Sequence, residues 1–277
     1  MIKKIYQLAD VHIPTYRKMD MYVDQLEKVV NAIREDVEKS NLTPEEMRIV
    51  ICGDLVESKN NVSNELYDFV ASLIRDHLST ICKVLVIAGN HDFNKENTCR
   101  KDTLTGIFNT ANFDNAVFLD QALDYESGIV TDDNVCWVLY SAYDNFNPPQ
   151  IEQARISYPD NKFIGLFHDM IVGSKMCNGF LADSGCDVSL FDGCDVVMAG
   201  HIHKRQIIDG NDCKIVYVGS TIQKDFGESI TQHGFAIWDV ETMESEFVDI
   251  PSNYGYYDIT INSIDDLKED KEILNNY

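Results

Sequence analysis

The sequence predicts a layered α/β fold: a sandwich of mixed sheets flanked by helices. Three observations carry this. Through about residue 110, short apolar runs alternate with helical repeats, the βαβαβ pattern of a sheet covered by crossover helices. From about residue 117, short strand-like runs succeed one another with little room for helices. The chain has 277 residues, 44% of them hydrophobic, enough to bury a substantial core.

The elements come in order. Ile5 to Ala9 reads as a strand. Residues 21–38 read as a helix, with Leu26, Val29, Val30, Ile33 and Val37 on one face. Arg48 to Cys52 is a second strand. Residues 63–78 form a second helix with Ser63 as N-cap and Leu66, Phe69, Val70, Leu73 and Ile74 inward. Val84 to Ala88 is continuously apolar, as a strand covered on both faces should be. Further strands are expected at Ala116–Leu119, Cys136–Tyr140, Phe163–Phe167, Val196–Ala199, Lys214–Val218, Gly234–Trp238 and Glu246–Ile250. Tyr257 to Ile261 reads as a strand, and Ser263-Ile264-Asp265-Asp266 resembles a capping box opening a helix. The expected division is a main domain over 1–256 and, from 257 to 277, the start of a second domain that looks cut short.

Composition excludes several classes. No apolar run reaches the ~18 residues that a membrane span needs. The start, Met1-Ile2-Lys3-Lys4 and a short strand ending in Asp10, is too short and too acidic for a secretory signal. The cysteines form no C-x-x-C pair, and Cys52, Cys82, Cys136 and Cys194 sit in apolar runs. They read as reduced, buried hydrophobes, which places the chain in a reducing compartment: cytoplasmic and nucleoid-associated, or nuclear in a eukaryote.

Five metal-type motifs recur, each after a strand-like run: Asp10-Val11-His12, Gly53-Asp54, Gly89-Asn90-His91-Asp92, His168, and Gly200-His201-Ile202-His203. Parallel strands deliver the loops at their carboxyl ends to one sheet edge, so these side chains should converge. Carboxylate, imidazole and amide oxygen together suit borderline-hard divalent ions, manganese first among them. Two such ions can clamp a phosphoryl group and supply hydroxide near neutral pH. A lone D-x-H or G-D carries almost no information, and a G-H-x-H can be two surface histidines. G-N-H-D is sharper, and the ordered set is specific. Five of the seven histidines fall in the motifs. His77 reads as a packed or interface residue and His233 as a turn residue.

The motif set resembles the calcineurin-like metallophosphoesterase superfamily. Within it the chain is similar to the SbcD-type nucleases, the catalytic subunits of a DNA double-strand-break repair complex, phage-type members most of all. The resemblance covers residues 1 to about 260 and implies a four-layer α-β-β-α sandwich. It implies one metal on Asp10, His12, Asp54 and His203, and another on Asp54, Asn90, His168 and His201. His91 would face the scissile phosphate and protonate the leaving 3′ oxygen, with Asp92 orienting it. DNA ends as substrate, an SbcC-type ABC ATPase partner, a DNA-capping domain from residue 257 and a homodimer through the 63–78 helix are also implied. That helix face can equally pack on its own sheet. A phosphoesterase acting on nucleotides or other small phosphoesters is the alternative. The chain departs from the family at Glu57, where a His or Asp is usual, and at Ser58-Lys59-Asn60, where an Arg-Pro pair is common.

The net charge of −23 opposes a nucleic-acid partner. Its distribution does not. The segments just after the motifs hold Arg17, Lys18, Lys59, Lys95, Arg100, Lys101, Lys175, Lys204 and Arg205 against Asp20 and Glu96. A locally positive rim is therefore expected around the metals.

Overall fold

In a computed structural model of the chain, residues 1–94 and 100–257 are described. The strands are β1 (Lys4–Leu8), β2 (Met47–Cys52), β3 (Lys83–Ile87), β4 (Ala116–Phe118), β5 (Gly128–Asp132), β6 (Val135–Leu139), β7 (Lys162–His168), β8 (Val196–Gly200), β9 (Gln206–Asp209), β10 (Lys214–Tyr217), β11 (Gly234–Asp239) and β12 (Glu244–Asp249). The helices are α1 (Met19–Ser40), α2 (Asn64–Ser72), α3 (Thr103–Thr110), α4 (Leu119–Ala122) and α5 (Ile151–Ser157). Of the strand expected over 257–261, Tyr257 is described and lies in no strand; the rest of it and the capping box lie outside the described residues.

Two six-stranded sheets stack face to face, in the orders β12-β11-β1-β2-β3-β4 and β5-β6-β7-β8-β10-β9. The strands that precede the motifs, β1, β2 and β3 in one sheet and β7 and β8 in the other, are parallel to one another within each sheet. The period-2 pattern sorts side chains by layer. Ile5, Val50, Cys52, Leu85, Ile87, Ile164, Leu166, Val196 and Met198 meet between the sheets. Tyr6, Leu8, Ile49, Ile51, Val84 and Val86 face the opposite way, onto α1, α2 and α3. Phe163, Phe167, Val197 and Ala199 form a third cluster beneath α5 and the loops. The expected mixed-sheet sandwich flanked by helices is the observed fold.

The second helix begins as expected, with Ser63 Oγ accepting from the Leu66 N–H at 3.1 Å. It then opens into a π-helical turn over Leu73–Leu78. Leu66, Val70, Leu73 and Ile74 are buried in the chain's own core. Phe69 and His77 line a groove against Val23, Leu26 and Arg34 of α1. Most of this face thus packs on its own sheet, and Phe69, Leu73 and His77 border a surface groove.

An ion pair ties the sheets together at the edge opposite the motifs. Arg48, on β2, donates from Nε and Nη2 to the two Asp132 oxygens at 2.8 and 2.9 Å, and Trp137 Nε1 adds a longer contact at 3.4 Å. Burial opposes the charge on Asp132, but the Arg48 guanidinium holds its carboxyl below the usual range. A depressed carboxyl stabilises the fold fully above its unfolded pKa, near ~4, and that contribution vanishes as pH falls through the folded value. Asp132→Asn should therefore lose about 2 kcal/mol at pH 7 in urea unfolding, with the deficit shrinking towards pH 3. An equal deficit at both pH values would show that the charge is not what matters.

Candidate metal centre

The motif loops meet because the strand register continues past the strands. In the register Leu8 faces Ile51. Beyond it, the Asp10 N–H donates to the Gly53 carbonyl at 3.1 Å and the His12 N–H to the Asp54 carbonyl at 2.9 Å. The second sheet closes from the other side. His168 and Gly200 are partners in its ladder. His168 Nδ1 reaches the Cys52 carbonyl at 2.7 Å, and the His201 N–H sits 2.9 and 3.0 Å from the two Asp10 oxygens. The carboxyl ends of both sheets thus share one rim.

The backbone there is unusual. Asp10, His12, Asp54 and His201 have φ of 50°, 53°, 50° and 91°. Asp and His tolerate the left-handed region better than most residues, and such strain gathers at functional sites. Glycine is needed for close approach: a Cβ at Gly89 would lie 2.2 Å from Asp54 Oδ1 and 2.6 Å from His168 Nε2.

All the candidate ligands come together at this rim. Asn90 sits there with its Oδ1 2.7 Å from His201 Nδ1. The ligand atoms of Asp10, His12 and His203 lie within 4.8 Å of one another, as do those of Asp54, His168 and His201 and those of His12, Asp54 and His91. Asp54 is common to two of these groups, with Oδ2 3.5 Å from His12 Nε2 and 3.3 Å from His168 Nε2. Burial works against its charge. Even so, His168, His12 and the His91 backbone N–H hold its carboxylate well below the ordinary range.

These donors fit cations. His168 gives its Nδ1–H to a carbonyl, so Nε2 is the atom that would offer a lone pair to a cation; it is buried and has no hydrogen-bond partner. His203 gives its Nδ1–H to Glu228 at 2.5 Å, and its Nε2 lies 3.0 Å from His12 Nε2. Two imidazole lone pairs that close repel unless a cation or a proton lies between them. Outer carboxylates and carbonyls that fix a histidine's tautomer are a usual feature of metal sites.

His91 stands beside this cluster, its backbone N–H on Asp54 Oδ1 at 2.7 Å and its ring Nδ1 2.8 Å from the Glu57 carbonyl. Nε2 remains for a substrate. Asp92 differs from the expected picture. Its carboxylate accepts from the backbone N–H groups of Leu55, Val56 and Gly89, at 3.2, 3.0 and 2.9 Å. It staples the two loops together and acts on His91 only through the backbone, while the carbonyl of Glu57 orients the ring. Burial, with Asp54 close by, pushes the Asp92 carboxyl up to about 8.

Three residues outside the expected site belong here. Glu228 holds His203. Lys224 Nζ donates to Glu57 Oε2 at 2.8 Å. His233, expected to be a turn residue, is buried, with ring nitrogens 3.0 Å from Ser220 Oγ and 2.6 Å from the Ser229 carbonyl. It braces the loop carrying Glu228. That loop is polar and aperiodic, and only the Gly219-Ser220 turn after an apolar strand marks it. Arg205 is a correction to the expected rim. Its side chain is 9% exposed, pairs with Asp249 and lies over Phe247, so it faces away from solvent. Lys95 and Glu96 lie outside the described residues.

The cleft over the cluster has a volume of about 400 Å³ and is lined by His91, His201, Met176, Asn178, Lys224 and Asp225 among others. The profile of the calcineurin-like phosphoesterases matches residues 3–205. The chain belongs to that family. Three groups of its His and Asp side chains could each hold a metal ion. An uncharacterized protein of Acanthamoeba polyphaga mimivirus is 29% identical over 267 residues, which are 94% of this chain and 19% of that protein. The chain therefore spans about a fifth of that relative. A dimetal phosphatase from Danio rerio has the same fold, with TM-score 0.50, 12% identity and coverage of 86% of this chain and 93% of that one. An archaeal phosphodiesterase aligns with TM-score 0.43 and 13% identity over 89% of this chain and 99% of that one. Among the described residues no helix is long and apolar enough to cross a membrane.

Proposed function

We propose that this metallophosphoesterase is a manganese-dependent nuclease of the SbcD type, cutting phosphodiester bonds at DNA ends in double-strand-break repair or recombination. The observation that carries the reading is the make-up of the cleft's borders. Two of its lining loops carry large exposed aromatics, Phe180 at 73% and Phe226 at 60%. Exposed aromatic faces beside a phosphoester site suit the bases of an unpaired strand, which stack on them without regard to sequence. Arg17, Lys18, Lys59, Arg100, Lys101, Lys175 and Lys204 remain as the basic side chains of the motif loops that can meet a phosphate backbone.

In this reading Asp10, His12, Asp54 and His203 would hold one divalent cation, and Asp54, Asn90, His168 and His201 the other. The pair would supply Lewis-acid charge at the phosphoryl group and activate water near neutral pH. His91, anchored at Nδ1 by the Glu57 carbonyl, presents Nε2 to the scissile phosphate and gives a proton to the 3′ oxygen as its bond to phosphorus breaks. An SbcC-type ATPase partner and a homodimer contact at the Phe69–His77 groove complete the proposal.

End-labelled single-stranded and duplex DNA should be shortened by the protein with Mn2+ and left intact with a chelator. A small phosphodiester cleaved briskly while both polymers survive would replace this reading with one in which the substrate is a nucleotide or other small phosphoester. The modest cleft volume leaves room for such a ligand.

A further inference from the structure

We propose that Lys224 clamps two carboxylates, Glu57 and Glu228, behind His12 and His203, and that this clamp presets one of the two cation positions. Lys224 is a positioning residue: it acts through the rings that the carboxylates hold.

The geometry is specific. Glu228 is nearly buried, its side chain 5% exposed. Its Oε1 lies 2.5 Å from His203 Nδ1, and its Oε2 accepts from the Lys224 backbone N–H at 3.1 Å and from Ser220 Oγ at 3.2 Å. The ammonium of the same lysine donates to Glu57 Oε2 at 2.8 Å. That oxygen lies 3.0 Å from His12 Nδ1, within reach but off the line of a hydrogen bond in this conformer. One residue therefore joins both carboxylates, by its main chain on one side and its side chain on the other. Gln223 secures the turn by donating from Nε2 to the Glu228 carbonyl at 3.0 Å.

The consequence lies at the far side of the rings. With both Nδ1 atoms facing carboxylates, both Nε2 atoms turn inward, 3.0 Å apart and close to Asp10. A freed imidazole could rotate or change tautomer at small cost, and the inward lone pairs would be lost. A carboxylate behind a ligating histidine also strengthens it as a donor. The second cation position is built differently. His168 is held by a backbone carbonyl, and His201 has Asn90 beside it. The two positions should therefore differ in their dependence on Lys224. A plain surface ion pair would have no such effect, although the 41% exposure of the Glu57 side chain would otherwise suggest one.

The inference rests on the two-cation reading of the site, and its test does not depend on DNA cleavage. Metal-free protein is titrated with Mn2+ by calorimetry, and the visible spectrum of the Co2+-loaded protein is recorded in parallel. Lys224→Met should weaken one Mn2+ equilibrium about tenfold or more and leave the other unchanged. It should alter the Co2+ bands of one site only and leave the metal-free melting temperature as in the parent. Lys224→Arg should restore most of the affinity. Adding Lys224→Met to Glu57→Gln should weaken binding no further than Glu57→Gln alone, because the two act as one unit. Should Lys224→Met fail to fold, Glu57→Gln alone must still weaken a single equilibrium. Parent affinity at both sites in Lys224→Met would overturn the clamp, as would equal weakening of both together with a lower melting temperature. Failure of the clamp leaves metal-dependent DNA cleavage intact, whereas failure of the nuclease reading leaves the Mn2+ titration intact.

Discussion

Asp54→Asn should reduce phosphodiester hydrolysis by about three orders of magnitude or more, since the cation pair supplies several kcal/mol of transition-state stabilisation. Asp54 reaches histidines on both sides of the cluster: His12 at 3.5 Å from the first sheet and His168 at 3.3 Å from the second. Asparagine keeps the shape and an oxygen but removes the charge. It also weakens the acceptor for the His91 N–H at 2.7 Å, which places the neighbouring loop. Metal analysis of the purified variant checks the cause. Manganese content should fall below that of the parent while the circular dichroism spectrum is retained. Full metal content beside lost activity would move the role of Asp54 from binding to chemistry.

His91→Ala should reduce hydrolysis about 10²–10⁴-fold, the range for loss of a positioned proton donor, with manganese content as in the parent. The ring is tied to the Glu57 carbonyl at 2.8 Å through Nδ1, so Nε2 is the nitrogen left for a leaving group. The substrate series tests the role. A nitrophenyl phosphodiester departs without a proton, so the variant should lose far less on it than on a substrate with an alkoxide leaving group. The same loss on both would assign His91 to charge stabilisation, and lost manganese would make it a ligand.

The fold was legible where hydrophobic pattern and burial coincide. β2 and β3 read as apolar runs because both faces are covered, by helices on one side and the second sheet on the other. The motif residues were legible because each comes directly after such a strand, and parallel strands end on a common rim. Other elements escaped for physical reasons. β5 and β9 are edge strands with alternating or weak burial. The helix α3 carries Gly106 and three threonines, which dilute its pattern, although Asp102 caps it by accepting from the Thr105 N–H at 2.7 Å. Glu228 and Lys224 act through contacts with residues far away in the sequence. Their spacing therefore encodes nothing that periodicity or motif reading detects. The rim was misread at Arg205 because a count of charges cannot see that Asp249 and Phe247 cover that side chain. Asp92 was placed in the right cluster and given the wrong partner, since a side chain adjacent in sequence to His91 turns instead to the amides of Leu55, Val56 and Gly89.

The most direct test of the shared two-cation rim is anomalous diffraction from crystals grown with Mn2+. Two peaks are expected, one among Asp10, His12, Asp54 and His203 and one among Asp54, Asn90, His168 and His201, with Asp54 touching both. An empty cluster, or a single ion that leaves Asp54 on one side only, would contradict it.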